Sequence, residues 1–113
     1  VAKVLLADAP HYREALAENI APLIVAQANG ATHVVAAATT TGKDILPRTA
    51  ALLDAPQMSD VVQIHAPDTF TRPIYAGNAL ETVSVSSAPV LLTVRTTAFA
   101  AAGTAALPAP IEV

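Results

Sequence analysis

The segment TTTGK carries the residue types that could most plainly do chemistry in this chain: Thr39, Thr40, Thr41, Gly42 and Lys43. It stands where a predicted strand gives way to a predicted helix. Free backbone N–H groups at a helix N-terminus attract anions, and hydroxyl and ammonium groups add further donors. The spacing departs from the GxxxxGK[ST] pattern of P-loops. The segment therefore predicts either a weak site for a single phosphate or a capped turn with a solvated lysine.

A second set, Ser59, Asp60 and His65, contains the residue types of a nucleophilic triad. The serine lies in no GxSxG pattern and at no strand-to-helix elbow, which are the marks of this chemistry in α/β-hydrolases. A hydrolase is therefore the third hypothesis for the function, and substrate turnover would decide it.

Metal and cysteine chemistry find little support in the sequence. The three histidines, His11, His33 and His65, do not stand at zinc-binding spacings, and we predict no metal site. The absence of cysteine excludes disulfides, thiolate catalysis and iron–sulfur clusters. Glu14 and Glu18 lie one helical turn apart and are typical of a solvated helix face.

Composition narrows the class of protein further. A chain of 113 residues with 53% hydrophobic but only 4% aromatic residues forms one domain at most, with a core of Ala, Val, Leu and Ile. A net charge of -3 with six Lys and Arg argues against nucleic-acid binding, which needs a concentrated basic surface. No apolar run reaches the roughly 20 residues of a transmembrane helix, so we expect no membrane insertion.

The segment Ala31–Asp54 is the unit around which the predicted fold is organised. A continuous apolar run, Val34–Ala38, predicts a strand buried on both faces. A variant capping box formed by Thr41 and Asp44 then predicts a helix that ends near Leu53. The residues predicted to be buried on this helix are Ile45, Leu46, Thr49, Leu52 and Leu53. Strand, polar loop and helix together are typical of α/β folds, whose ligand sites lie at the carboxyl ends of strands.

Upstream of this unit, the sequence predicts a buried strand at Lys3–Ala7 and a helix from about Tyr12 to Ala28. Four residues at helical spacing predict the apolar face of this helix: Leu16, Ile20, Leu23 and Ile24. Pro22 interrupts the pattern and predicts one bent helix, because proline removes a hydrogen bond from the helix interior. Pro47 predicts a distorted or separate first turn in the second helix for the same reason.

Downstream, a turn at Ser59-Asp60 is predicted to lead into a strand at Val61–Ile64. Three further short strands follow at Asp68–Ile74, Ala79–Val85 and Val90–Arg95. No spacer between them could hold a helix, so we expect antiparallel pairing. Residues 100–113 are rich in Ala and Pro and predict a linker.

Two arginines in these weakly charged strands, Arg72 and Arg95, allow two interpretations. Arginine is favoured at protein interfaces, so both side chains are candidate anchors for a partner. Charges on edge strands also discourage aggregation. The sequence alone leaves both interpretations open.

Three segments resemble the alpha subunit of the electron-transfer flavoproteins: LLADAPHYREALAENIAPLI, ATTTGKDILPRTAALLDAPQMSDV and DTFTRPIYAGNALETV. The similarity extends from Val4 to about Phe99. It implies that residues 1–99 are part of the N-terminal α/β domain, with a nucleotide-binding-like (adenine nucleotide hydrolase-like) three-layer fold. It also implies parallel core strands followed by antiparallel strands. A further strand–helix–strand portion is expected before Val1, and an FAD domain after the linker.

The resemblance implies an electron carrier and not an enzyme. Such proteins are heterodimers of an alpha and a beta subunit with one FAD, and they pass electrons from flavin dehydrogenases to a membrane-bound quinone reductase or another acceptor. FAD is expected mainly outside this chain. AMP is expected in the beta subunit, at its counterpart of Thr39–Lys43, so this chain's loop is expected to hold no nucleotide. The expected compartment is the bacterial cytoplasm or the mitochondrial matrix.

Two leading hypotheses follow. The first is a domain that docks the beta subunit, for which the interface candidates are Arg72, Tyr75, Asn78 and Arg95. The alternative is a small nucleotide-binding regulatory domain that uses Thr39–Lys43 and the loop at Asp8. Nucleotide binding by this chain alone discriminates between them.

Overall fold

The computed structural model describes residues 1–113, which form two helices and eight strands. The helices are α1 (Ala17–Gln27) and α2 (Thr40–Leu53). The strands are β1 (Val4–Leu5), β2 (His33–Ala37), β3 (Gln57–Val61), β4 (Gln63–Ala66), β5 (Thr69–Ile74), β6 (Ala79–Ser84), β7 (Val90–Val94) and β8 (Ile111–Glu112). Short 3-10 turns stand at Pro10–Tyr12, Tyr75–Gly77 and Thr96–Ala98.

The core is a three-stranded parallel sheet in the order β2-β7-β3. The central strand β7 is buried at Val90, Leu91, Leu92 and Thr93. The predicted antiparallel pairing of this strand is therefore wrong, because β7 returns from the later hairpin and inserts between the two earlier strands. The prediction that β2 is buried on both faces is also wrong. β2 lies at the edge of the sheet, and Val35 is 55% exposed.

A second sheet is antiparallel, in the order β4-β5-β6, and confirms the hairpin predicted from period-two alternation. Its strands β5 and β6 pair in continuous register from Thr69 opposite Ser84 to Ile74 opposite Ala79. The predicted strand Val61–Ile64 is wrong in its bounds. β3 ends at Val61 and β4 begins at Gln63, so the predicted strand is the junction between the two sheets.

The predicted turn at Ser59-Asp60 is an irregularity inside β3, where the register with β7 shifts between Met58 and Val61. Asp60 has a φ of 60°. An extra residue in a strand reverses the in–out alternation. Met58 and Val61 consequently pack in one cluster although they are three residues apart. Ser59 and Asp60 predicted a turn because short polar residues are typical of turns and of bulges alike.

The chain folds into three layers, which are the two helices, the parallel sheet and the antiparallel sheet. Leu91 packs against Leu46 and Ala50 of α2. Its neighbours Val90 and Leu92 point to the other side and pack with Phe70 of β5. Because successive side chains of β7 point to opposite faces, this strand contributes to an apolar cluster on each face of the parallel sheet. The α/β class, with parallel core strands and antiparallel strands after them, is confirmed.

The helix α1 is shorter than predicted. Residues 10–12 form a 3-10 turn, and Ala15 takes a left-handed φ of 50°, so the helix begins only at Ala17. Leu16, predicted to be buried, is 50% exposed, and the buried residues of α1 are Ala17 and Ala21. Pro22 lies inside one continuous helix, which confirms one helix rather than two.

The helix α2 matches its prediction closely. It ends at Leu53, and Asp54 follows in the left-handed conformation with a φ of 49°. Ile45, Leu46 and Thr49 are buried as predicted, whereas Leu52 is 54% exposed. Pro47 lies within a continuous helix, so the predicted separate first turn is wrong.

The termini form a small parallel pair. The predicted strand Lys3–Ala7 reduces to β1, which pairs with β8 and is exposed instead of buried. Lys3 Nζ lies 3.0 Å from Glu112 Oε2. Residues 100–110 belong to no helix or strand, and β8, which follows them, pairs with β1. No helix of the chain is both long and apolar enough to cross a membrane.

Candidate functional site

The loop between β2 and α2 turns at Thr39, which is the N-cap of α2. Its backbone is extended, and its Oγ1 accepts a hydrogen bond from the Gly42 N–H at 3.1 Å. The Lys43 N–H donates to the Thr39 carbonyl at 2.9 Å. The predicted cap at Thr41 with Asp44 is wrong, because Thr40 and Thr41 already belong to the helix. Two N–H groups of the first turn, those of Thr40 and Thr41, have no backbone partner and remain available to an anion.

Gly42 brings the start of α2 against the end of β2. A β carbon at Gly42 would lie 2.1 Å from the carbonyl oxygen of Ala37, so only glycine fits. The neighbouring cavity holds about 230 Å³ and is lined mainly by apolar side chains, among them Ile24, Ile45 and Leu46. Small-molecule sites usually hold roughly 300–1,000 Å³. The geometry at Thr39–Lys43 suits one small anion better than a whole nucleotide.

An ion pair stands close to the carboxyl ends of β3 and β7. Arg95 Nε donates to Asp60 Oδ1 at 3.0 Å, and Arg95 Nη2 donates to Asp60 Oδ2. The Asp60 N–H donates to Thr93 Oγ1 at 2.8 Å, and the Arg95 N–H donates to the Val61 carbonyl at 2.9 Å. The bulge in β3 thus directs Asp60 toward Arg95. Because Arg95 directly follows the central strand β7, it is not an edge-strand charge.

The pair changes the ionisation of both residues. The hydrogen bond from Arg95 lowers the pKa of Asp60, burial opposes this shift, and the charges of Lys43 and Arg95 lower the pKa further. The same hydrogen bond raises the pKa of Arg95. Both groups are therefore held in their charged forms at neutral pH.

We predict that Asp60→Asn lowers the melting temperature at pH 7 and flattens its dependence on acid pH. A carboxyl whose pKa is lower in the folded state stabilises the fold above its unfolded pKa of about 4, and this contribution is lost as pH falls through the folded value. The measurement is thermal unfolding by circular dichroism from pH 7 to pH 2. Asp68→Asn is the matched control, since Asp68 is exposed and its carboxylate accepts only from the Thr69 hydroxyl. Equal profiles for the two variants would contradict the prediction.

The β5–β6 hairpin holds three of the predicted interface residues. Arg72 Nε donates to Glu81 Oε2 at 2.8 Å, across the pair of strands. At the turn, Tyr75 is 78% exposed and Asn78 is also exposed. Of these three candidates, Arg72 thus pairs within the chain, whereas Tyr75 and Asn78 lie exposed at the end of the hairpin.

The residues of the predicted triad do not come together. Ser59 exchanges hydrogen bonds with the side chain of Gln57, and Asp60 pairs with Arg95. His65 Nε2 lies 2.7 Å from Thr71 Oγ1. The structure gives the hydrolase hypothesis no nucleophile–base contact.

The other two histidines have structural contacts. His33 Nε2 donates to the Pro67 carbonyl at 2.6 Å and ties β2 to the β4–β5 turn. The His11 ring lies 4.0 Å from the ring of Tyr12. No group of three His, Asp or Glu side chains is placed to hold a metal ion.

A groove of about 1300 Å³ runs along the free edge of β2, between α1 and the β1–β8 pair. Its walls are mainly apolar and include Leu5, Leu23 and Val35. β2 pairs with β7 alone, so its outer edge carries unpaired backbone groups. This is an apolar surface with an open strand beside it.

Neither the cavity at Gly42 nor the groove along β2 fits FAD. A flavin dinucleotide needs donors for its pyrophosphate and a long cavity for its rings. In the large groove, Lys3 is paired with Glu112, and Asp8 adds a second carboxylate to the lining. The cavity at Gly42 is too small and apolar.

Three features of the structure were not predicted from the sequence. The Asp60–Arg95 pair joins residues 35 positions apart, and no local pattern connects them. Phe70, the largest fully buried side chain, was not singled out, although a lone aromatic residue in an alternating strand is a usable signal. The run of Val90–Val94 was also readable as a central strand, because it is apolar without alternation.

Comparison with known proteins gives one consistent result. All 113 residues match the family model described as "Electron transfer flavoprotein domain". The chain is 56% identical over 99 residues to the electron transfer flavoprotein subunit alpha of Pseudomonas aeruginosa, a match that covers 88% of this chain and 32% of that protein. Identity to the subunit alpha of Paracoccus denitrificans is 50% over 103 residues, covering 91% and 33%.

A plant relative extends the similarity beyond bacteria. The chain is 48% identical over 102 residues to the mitochondrial electron transfer flavoprotein subunit alpha of Arabidopsis thaliana, covering 88% of this chain and 28% of that protein. The chain thus spans about a third of the length of the relatives it matches.

Proposed function

The chain belongs to the electron transfer flavoprotein family, and we propose that it is part of the N-terminal α/β domain of an alpha subunit that docks a beta subunit. The observation that carries the proposal is the match of all 113 residues to the family's domain. The identities of 48–56% to proteins named subunit alpha support the assignment to that subunit.

In this proposal the chain supplies surface and shape to an electron carrier and does no bond chemistry. The complete protein carries one FAD, which takes electrons from flavin dehydrogenases and passes them to a quinone reductase or another acceptor. FAD is held mainly outside residues 1–113, in agreement with the poor fit of both cavities. AMP belongs to the beta subunit. The complex works in the bacterial cytoplasm or the mitochondrial matrix.

Two surfaces of the chain suit a docking role. The first is the end of the β5–β6 hairpin, where Tyr75 and Asn78 are exposed. The second is the free edge of β2 with its apolar groove. Exposed apolar surface of this kind marks an interface or an aggregation risk. We therefore expect poor solubility of the chain alone and stabilisation by its partner.

The alternative, a nucleotide-binding regulatory domain, draws on one observation. The amides of Thr40 and Thr41 are free of backbone partners and stand beside Lys43. The cavity there holds about 230 Å³, less than the roughly 300–1,000 Å³ of usual small-molecule sites, which disfavours a whole nucleotide.

We predict that the full-length protein containing this chain co-purifies with a beta-type subunit as an FAD-containing complex. The measurement is co-expression followed by gel filtration with absorption at the visible flavin maxima. Residues 1–113 alone, incubated with FAD and filtered in the same way, are expected to retain no flavin. Failure of the two proteins to associate would overturn the docking proposal. Stoichiometric flavin on residues 1–113 would overturn the assignment of FAD to the rest of the complex.

A further inference from the structure

We infer that Asn29 is a site of spontaneous covalent modification, at which the side-chain amide is hydrolysed to a carboxylate through a cyclic imide formed with the Gly30 backbone nitrogen. The site lies in the connection between α1 and β2. The only co-reactant is water. The inference concerns the chemistry of this connection and does not depend on the proposed function.

The conformation of the connection is the first reason. Asn29 and Gly30 are both exposed. The Ala31 N–H donates to the Ala28 carbonyl at 2.9 Å, and Gly30 has a φ of 79°, which is the arrangement of a type II turn. Closing the imide ring requires rotation of this turn. A turn that is exposed and held by a single hydrogen bond opens locally at little cost in free energy.

The peptide group of Gly30 is the second reason. Its N–H donates to no backbone carbonyl of the chain. A β carbon at Gly30 would meet no atom within 4 Å, so this peptide group lies in open space. Glycine has no β carbon of its own to obstruct the approach of the Asn29 side chain to this nitrogen. The attacking nitrogen is therefore accessible both to solvent and to its target carbon.

The other two asparagines of the chain do not have this combination of features. Asn19 lies inside α1, and its Nδ2 donates to a backbone carbonyl at 2.8 Å. The residue after it, Ile20, is β-branched, and its N–H donates within the helix. Asn78 is exposed but is followed by Ala79, the first residue of β6. Only Asn29 has a free side chain and a glycine with a free N–H directly after it.

The reaction balances without an oxidant or a cofactor. Solvent base removes the proton of the Gly30 N–H, and the nitrogen attacks Asn29 Cγ. The new C–N bond forms as the bond between Cγ and Nδ2 breaks, and the amide nitrogen leaves as ammonia. Water then opens the cyclic imide at either of its carbonyl groups. The products at position 29 are aspartate and isoaspartate, in which the main chain runs through the side chain.

The products change the end of α1. The last turn of this helix has no basic residue, so a new carboxylate there meets the negative end of the helix dipole without a counter-charge. Isoaspartate also adds a carbon to the main chain between Ala28 and Ala31, whose hydrogen bond closes the turn. Both of these residues line the groove along β2. Conversion at Asn29 therefore destabilises α1 and alters one wall of the groove.

The test stores the full-length protein that contains this chain in mildly alkaline buffer under native conditions. Proteolytic peptides are then analysed by mass spectrometry for the mass gain of amide hydrolysis, and by enzymatic methylation that is specific for isoaspartate. Asn29 is expected to convert at least about tenfold faster than Asn78, which corresponds to a barrier lower by about 1.4 kcal/mol. Asn19 should remain unconverted over the same period. Asn29→Gln should abolish the acidic form of the protein, whereas the matched variant Asn78→Gln should keep it.

A second measurement tests the consequence for α1. Asn29→Asp introduces the charge without lengthening the main chain, and its melting temperature should be a few degrees lower than that of wild type. The isoaspartate form, separated after storage, should melt at a lower temperature still. If Asn29 of the native protein converts no faster than Asn78, or converts only after unfolding, the inference is overturned and the proposed function is unaffected. Conversion with unchanged melting temperatures would overturn the destabilisation of α1.

Discussion

Replacing Phe70 with alanine is expected to lower the free energy of unfolding by about 3–5 kcal/mol, the usual loss for a fully buried phenylalanine. Phe70 is 1% exposed and is the largest fully buried side chain. It stands on β5 but packs with Met58, Val90 and Leu92 of the parallel sheet. Its removal would leave a cavity between the two sheets that neither backbone could easily close. The measurement is urea unfolding followed by far-ultraviolet circular dichroism.

The second phenylalanine of the chain provides the matched control. Phe99 is 37% exposed and follows the last 3-10 turn, so Phe99→Ala should cost about 1 kcal/mol or less. Phe70→Leu, which keeps most of the buried volume, should fall between the two alanine variants. Equal losses at positions 70 and 99 would show that Phe70 does not join the two sheets.

Gly42→Ala is expected to destabilise the protein by about 2–3 kcal/mol, in the range of other overpacked sites. Intrinsic helix propensity favours alanine over glycine by about 1 kcal/mol, so the expected sign is opposite to the propensity. The reason is that the new β carbon would lie 2.1 Å from the Ala37 carbonyl oxygen. That oxygen is backbone, so either the end of β2 or the start of α2 must move. Thermal and urea unfolding both measure the loss.

Gly103→Ala is the control for this substitution. A β carbon at Gly103 meets no atom within 4 Å, and its backbone does not have the positive φ that would strain alanine. Its stability should stay within about 0.5 kcal/mol of wild type. A Gly42→Ala protein as stable as wild type would mean that α2 and β2 do not approach each other as closely as described.

Much of the secondary structure could be predicted because it depends on patterns of neighbouring residues. The unit of β2, polar loop and α2 follows from an apolar run, a turn rich in threonine and a helical period. The β5–β6 hairpin follows from alternation on both sides of Ala76-Gly77-Asn78. Even here the predicted start of α2 differs from the observed one. The N-cap is Thr39 and not Thr41, because the loop is shorter than the run of threonines suggested. The family resemblance rests on these same segments and is confirmed by the match over all residues.

The positions of the candidate site residues in the fold were predicted in part. The sequence placed Thr39–Lys43 at a helix start and Tyr75 and Asn78 at a turn, and the structure has both. It could not foresee that Arg72 and Arg95 each pair with a carboxylate within the chain. Such pairs form between segments that are distant in sequence, and the sequence of one segment does not indicate which segment will lie beside it.

The sequence by itself determined most of the helices and strands, the apolar residues available to the core and the family of the chain. Only the tertiary structure decided the order of the strands. β2 and β7 are both short apolar runs, yet β7 is central and buried whereas β2 lies at the edge with an open side. The bulge at Asp60 was decided in the same way, because it aligns Met58 and Val61 on one face and directs Asp60 toward Arg95. Strand order and register depend on which distant backbones pair, and that free energy belongs to the assembled sheet and not to any one segment.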